Sequence, residues 1–112
     1  MNTTPFRLIA AIIAAWSFAG ACQADRLEDG RAAYQQTCSR CHETGEHGAP
    51  MVSNPDDWAG RSNLWSAVLT EHALKGYFGM PAKGGSEDLE RYDMEVAAEY
   101  MLTLTYPDLP AD

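Results

Sequence analysis

Apolar positions in this chain recur at three- and four-residue steps, and no stretch alternates strictly every second residue, so the pattern predicts helices and no strand. Leu27, Arg31, Tyr34 and Cys38 keep helical spacing and predict a first helix over 25–38. Gly30 lies inside it, at a cost of up to ~1 kcal/mol relative to alanine. Gly30 and Tyr34 share a face four residues apart, which suits a second helix crossing closely over the glycine. Leu64, Val68, Leu69 and Ala73 form the stripe of another helix, with Ser62 or Asn63 as cap and Gly76 as stop. Leu89, Tyr92, Val96, Tyr100 and Leu104 form the last stripe, from a cap at Ser86 to an end at Pro107. Ala97 and Ala98 are small enough for close contact, so this helix is expected to bring Ala97 and Tyr100 onto Gly30 and Tyr34.

Three stretches depart from that periodicity. Gly45, Gly48 and Pro50 end the first helix in a loop, after which Asn54 or Asp56 caps a short turn bearing Trp58. Residues 76–85, G-Y-F-G-M-P-A-K-G-G, have no apolar period at all. Leu8 to Ala21 is a nearly unbroken apolar and small-residue run behind Arg7. It falls short of the ~20 apolar residues of a membrane span, and small residues follow it, so it reads as a secretory signal peptide rather than a retained anchor. The expected division is a signal over 1–24 and one domain over 25–112. Cleavage after Ala21 instead would expose Cys22 for lipid attachment, although Ala19-Gly20-Ala21-Cys22 lacks the branched aliphatic residue usual in lipoprotein signals.

Charge narrows the partners. All 16 Asp and Glu lie after residue 24, whereas one of the 8 Lys and Arg, Arg7, precedes it, so the chain from Asp25 on carries 7 − 16 = −9. Nucleic acid and anionic lipid are disfavoured, and a partner with a basic docking patch is favoured; plain solubility accounts for the same charge.

The chemistry is carried by Cys38-Ser39-Arg40-Cys41-His42, a C-x-x-C-H pattern. Two thiols at this spacing can add across the two vinyl groups of a haem, and the following histidine is then held beneath the macrocycle as an iron ligand. A thioredoxin-like pair would want a βαβ context, zinc would want two further ligands, and a disulfide is the remaining reading. Once Cys22 leaves with the signal, Cys38 and Cys41 are the remaining cysteines. Met80 lies in the period-free stretch, 38 residues after His42. Alone it would read as a gap-filling methionine under a turn. Downstream of C-x-x-C-H it reads as the second axial ligand, a soft thioether whose loop Pro81 stiffens. A carbonyl near Pro50 is the expected acceptor for the other nitrogen of His42. His47 and His72 read as solvent-facing. Trp58 and Arg61, three residues apart, read either as contacts to the haem edge and propionates or as a core indole and a solvated guanidinium.

With these residues together the chain resembles a class I c-type cytochrome, and within that class the bacterial cytochrome c5 group. The likeness rests on Cys38-Ser39-Arg40-Cys41-His42, Gly48-Ala49-Pro50, Trp58 with Arg61, Met80-Pro81-Ala82-Lys83-Gly84-Gly85, and Val96 through Tyr100-Met101. The resemblance implies an all-α domain of about four helices wrapped around one covalently attached haem c, its N- and C-terminal helices crossing. It also implies a monomeric periplasmic carrier of single electrons between redox proteins, with no catalysis of its own. Some members of that group have a second cysteine pair, which this chain lacks. Tyr77-Phe78, just before the ligand loop, would cover the haem edge or join a docking surface. The competing functions are a dedicated electron-accepting subunit of a periplasmic dehydrogenase and a gas-binding haem sensor, which needs an open iron site. At 112 − 24 = 88 residues a side-chain core alone is marginal, so the haem is expected to supply much of it.

Overall fold

The computed structural model describes residues 22–59 and 66–108. Among them the chain is helix and turn, with no strand beyond one isolated bridge between Tyr77 and Met80. Helix α1 covers residues 22–33. It runs through one π turn, Tyr34–Cys38, into α2, Ser39–His42, and the Ser39 N–H reaches back five residues to the Tyr34 carbonyl. The wide turn has a purpose in the packing. Eight residues of regular helix overshoot two full turns by about 80°, and the π turn takes up that excess. Tyr34 and His42 are accordingly both buried. After a loop containing the short 3-10 turns Glu46–Gly48 and Pro55–Trp58, α3 covers Ser66–Lys75, a further 3-10 turn covers Ala82–Gly85, and α4 covers Arg91–Thr105.

Helix α4 crosses α1 where the small residues allow it. A Cβ placed on Gly30 would collide with the Val96 carbonyl and lie 2.9 Å from Tyr100 Cβ. Ala33, Val96 and Ala97 form the buried cluster at the crossing, with Cys38 packed against it. The Tyr34 and Tyr100 rings meet at 5.5 Å, tilted by 56°. Polar straps flank this contact: Arg26 donates two hydrogen bonds to the Glu99 carboxylate, at 2.7 and 3.2 Å, and the Tyr92 hydroxyl donates to Asp29 at 2.7 Å. The arginine also lies 5.4 Å above the Tyr92 ring. This is the expected crossing of Gly30 and Tyr34 with Ala97 and Tyr100.

Two details of α4 differ from the periodic reading. The helix is capped by Glu90, not Ser86: the Glu90 side chain accepts from the Asp93 backbone, and the Asp93 carboxylate accepts from the Glu90 N–H at 2.8 Å. Such a reciprocal box satisfies two orphan donors at once, which Ser86 four residues earlier is too far away to do. Leu89 before the cap and Met94 in the second turn are both buried, at the spacing of a hydrophobic staple. The buried face is also centred on Val96, Ala97 and Ala98, while Tyr92 and Leu104 stay 44% and 42% exposed at its margins. Helix α3 packs on α4 and on the Ala82–Gly85 turn, and Arg91 ties the two helices through Glu71 at 2.6 Å. Its stripe residues Val68, Leu69 and Ala73 are only half-buried. Leu64 and the expected caps Ser62 and Asn63 lie outside the described residues.

Candidate haem attachment site

Helix α2 places Cys38 at its N-terminal boundary, Cys41 one turn on, and His42 as its last residue. Both thiols are free and half-buried. Burial pushes the Cys38 thiol up to about 11, so it is a protonated thiol at neutral pH. A dithiol redox centre works through a lowered thiol pKa; this environment does the opposite. Among the described residues no group of three or more His, Cys, Asp and Glu gathers as a metal cluster.

His42 is held from several directions. Its ring is buried, and Nδ1 lies 2.8 Å from the Pro50 carbonyl oxygen. A carbonyl only accepts, so the hydrogen sits on Nδ1 and Nε2 carries the lone pair. Burial lowers the His42 pKa, and the Pro50 bond opposes that shift, which keeps the imidazole neutral and available as a ligand. The Trp58 indole stacks on the ring at 5.6 Å with 18° between planes.

The loop after α2 is built to hold those two partners. Gly45, at φ +76, turns the chain, and its N–H caps the Cys41 carbonyl at 2.8 Å. The Val52 N–H returns to the His42 carbonyl at 2.8 Å. Asp57 then closes a small ring, accepting from the Met51 N–H at 3.1 Å and from the Asn54 amide at 2.9 Å. The Trp58 indole N–H donates to the Met51 carbonyl at 2.9 Å. That donor is therefore engaged within the loop; of the two readings of Trp58, haem-edge contact or packed indole, the bond bears on the N–H alone. Arg61 lies outside the described residues.

The period-free stretch comes to the same helix. Met80 and Tyr77 exchange backbone hydrogen bonds at 2.9 and 3.0 Å, closing a tight turn over Phe78 and Gly79. Gly76, at φ +82, sits against the Met80 carbonyl, which would be 3.0 Å from a Cβ there. Gly84, at φ +62, meets the Thr37 methyl, 2.9 Å from where its own Cβ would be. Thr37 immediately precedes Cys38, so the turn after Met80-Pro81 packs onto the chain beside the cysteine motif. Periodicity did not single out Thr37 or Asp57, and it marked Gly76 only as a helix stop; the glycine-rich spelling of 76–85 was the available signal for this turn. His47 is exposed as expected, at φ +56. His72 is not: it is half-buried and stacked on Tyr77 at 3.8 Å and 10°, because the end of α3 abuts the 77–80 turn.

These residues fit a covalently held haem. Eight apolar side chains are buried among the described residues, three of them alanines, and Val96 is the one large side chain fully enclosed. Half-buried Val68, Leu69, Ala73 and Met80 leave apolar surface for a large planar group to cover.

Comparison with known proteins agrees. Residues 25–101 match the family model described as "Cytochrome C oxidase, cbb3-type, subunit III". The chain is 39% identical over 77 residues to cytochrome c-555 of Chlorobaculum tepidum, covering 65% of this chain and 71% of that protein. It is 38% identical over 77 residues to cytochrome c-555 of Chlorobaculum thiosulfatiphilum, covering 65% and 90%. It is 45% identical over 67 residues to cytochrome c-551 of Halorhodospira halophila, covering 60% and 82%. With the helical fold, the cysteine motif and these relatives together, the chain belongs to this cytochrome c family, as a class I c-type cytochrome that carries covalent haem c and transfers electrons.

Proposed function

We propose that the protein is a periplasmic carrier of single electrons, its haem iron bound by His42 on one side and Met80 on the other. Cys38 and Cys41 hold the haem edge as thioethers. When bound, the haem supplies the reversible one-electron change of its iron; the chain supplies the rest. His42 presents Nε2, fixed in direction by the Pro50 carbonyl and the Trp58 face. Met80 presents a neutral thioether, and a His/Met pair raises the reduction potential of haem iron. Filling both axial positions leaves no place for a substrate, which is why we assign no catalysis. Arg61 is proposed to lie near the haem with Trp58.

The observation that carries this reading is the His42 clamp: a buried, neutral imidazole held through Nδ1, with Nε2 left to bind. Carbon monoxide binding to the ferrous protein tests it. Spectra unchanged by the gas at neutral pH support two protein ligands. Rapid binding would mean an open site and a gas sensor.

Residues 1–24 are proposed as the secretory signal and 25–112 as the haem domain, supported by the apolar run before Cys22 and by the attachment of c-type haem outside the cytoplasm. No helix among the described residues is long and apolar enough to cross a membrane. Lipid attachment at Cys22, which is exposed, is the other processing outcome; mass spectrometry of the exported protein separates the two. Donor and acceptor are proposed to be redox proteins, and the charge of −9 after residue 24 supports long-range attraction to a basic docking patch on one of them. The family description names an oxidase subunit, which favours a second reading as a bound subunit, whether of an oxidase or of a periplasmic dehydrogenase. Elution as a monomer supports the free carrier; co-purification with a fixed partner supports the subunit.

A further inference from the structure

We propose that Asp57 is a positioning residue for the iron ligand His42, and that it acts through the peptide bond between Pro50 and Met51. The inference deepens the proposed function and rests on its assignment of His42 as a ligand. One peptide unit carries both contacts. Its oxygen, the Pro50 carbonyl, accepts from His42 Nδ1 at 2.8 Å. Its N–H, on Met51, donates to Asp57 Oδ2 at 3.1 Å. No cis peptide bond occurs among the described residues, so the C=O and N–H point to opposite sides of one rigid plane. The imidazole and the carboxylate therefore hold the same plane from opposite sides.

This arrangement does two things. Proline fixes its own φ, which leaves the Pro50 ψ as the torsion that would swing the carbonyl away from the His42 ring. A carboxylate on the far end of the plane holds that torsion. An ionised carboxylate on the N–H also draws electron density toward the carbonyl oxygen, since hydrogen bonds in a chain polarise one another. The oxygen becomes a stronger acceptor, and the imidazole a more basic ligand through Nε2. Carboxylates bound directly to a ligating histidine act across one hydrogen bond. Here a peptide stands between them, and the negative charge is kept one peptide further from the ring.

The carboxylate is itself held. Asp57 is half-buried, its other oxygen accepts from the Asn54 amide at 2.9 Å, and its own N–H returns to the Asn54 carbonyl at 3.1 Å. Asn54 caps the Pro55–Trp58 turn that carries Asp57, accepting from the Asp56 N–H. The next residue closes the other side: the Trp58 indole donates to the Met51 carbonyl while its face lies on the His42 ring. Met51 is thus bound at its N–H and its C=O by consecutive residues of one turn. Asp56, one residue before Asp57, is exposed and enters this turn through its backbone N–H, which makes its carboxylate a matched control for charge.

The test uses the haem-loaded ferrous protein with isotope-labelled histidine, and reads the His42 Nδ1 proton resonance and its exchange with deuterium oxide. The ferric-to-ferrous ratio at one fixed applied potential is read separately. Asp57→Asn keeps an oxygen acceptor for the Met51 N–H and removes the charge; Asp57→Ala removes both; Asp56→Asn removes the same charge one residue away. The Nδ1 proton is expected to move upfield in Asp57→Asn and further in Asp57→Ala. Its exchange in Asp57→Ala is expected to be at least about tenfold faster, the scale of losing a hydrogen bond to a charged group. The ferric-to-ferrous ratio is expected to fall in the same order, by about twofold or more in Asp57→Ala, because a less basic imidazole supports the ferric charge less well. Asp56→Asn is expected to leave the proton where the parent has it. A proton unmoved in Asp57→Asn would overturn the relay, even where Asp57→Ala fails to load haem. Equal shifts in Asp56→Asn and Asp57→Asn would overturn it too, since the charge would then act without the bond to Met51. Parent His42 resonances that lack the displacement a haem ring current imposes would instead contradict His42 ligation, which the other outcomes leave intact.

Discussion

The crossing of α1 and α4 and the turns around residues 43–58 and 76–86 are held together by different means. At the crossing, side chains suffice: Gly30 admits the Val96 backbone, Ala33 and Ala97 close the gap, and Arg26–Glu99 and Tyr92–Asp29 fasten the edges. The turns have few buried apolar groups and take many costly conformations, with His47, Phe78 and Lys83 all at positive φ. Most of their backbone hydrogen bonds are local, within three or four residues, and the longest reach, from Val52 to His42, is ten. One half of the domain is therefore specified by packing between helices, and the other, on the proposed ligation, takes its order from the haem.

Removing the haem is the hardest blow to that division. A Cys38→Ser, Cys41→Ser chain is expected to lose most far-ultraviolet helicity and any sharp melt; native-like helicity with cooperative unfolding would contradict it. Next in size, Gly30→Val drives a side chain into the Val96 carbonyl and is expected to cost about 3 kcal/mol in denaturant unfolding, with the haem spectrum of the folded fraction unchanged. Gly84→Val strains a left-handed residue and presses on Thr37. It is expected to cost about 2 kcal/mol and, unlike the change at Gly30, to weaken the sulfur-to-iron band. Equal spectral effects from the two glycines would erase the distinction between the halves.

A smaller effect has the opposite sign. The Tyr34 hydroxyl is buried with no hydrogen-bond partner among the described residues, and burial, with Glu43 nearby, pushes its pKa up to about 12. Tyr34→Phe is expected to stabilise the protein by about 1 kcal/mol, raising Tm by roughly 4–8 °C. The raised pKa means the fold favours the neutral phenol, so this contribution is intact below about pH 10 and lost as pH rises toward 12. The variant should lack that part of the alkaline decline. Smallest of all, Arg26→Ala removes a surface-accessible pair and is expected to cost under about 1 kcal/mol.

The crossing was legible because its causes are local and periodic: a glycine and two alanines at matching places on two amphipathic stripes. The cysteine motif was legible because its chemistry fixes the spacing. The Glu90 cap, the π turn and the His72–Tyr77 stack were not, since each is chosen by what packs against it. Trp58 shows the same limit. Its position in the chain suggested the haem's neighbourhood, but the direction of its N–H depends on the Asp57-closed loop that offers the Met51 carbonyl. Phe78 was visible as a bulky residue; its exposure needed the turn.

The most direct test of the account is the visible spectrum of the ferric, haem-loaded protein in the far red, where sulfur bound to iron gives a weak band, with Met80→Ala as control. The account predicts the band in the parent and its loss in the variant. A haem-loaded parent without the band would contradict ligation by Met80 and, with it, the proposal that both iron positions are closed for electron transfer alone.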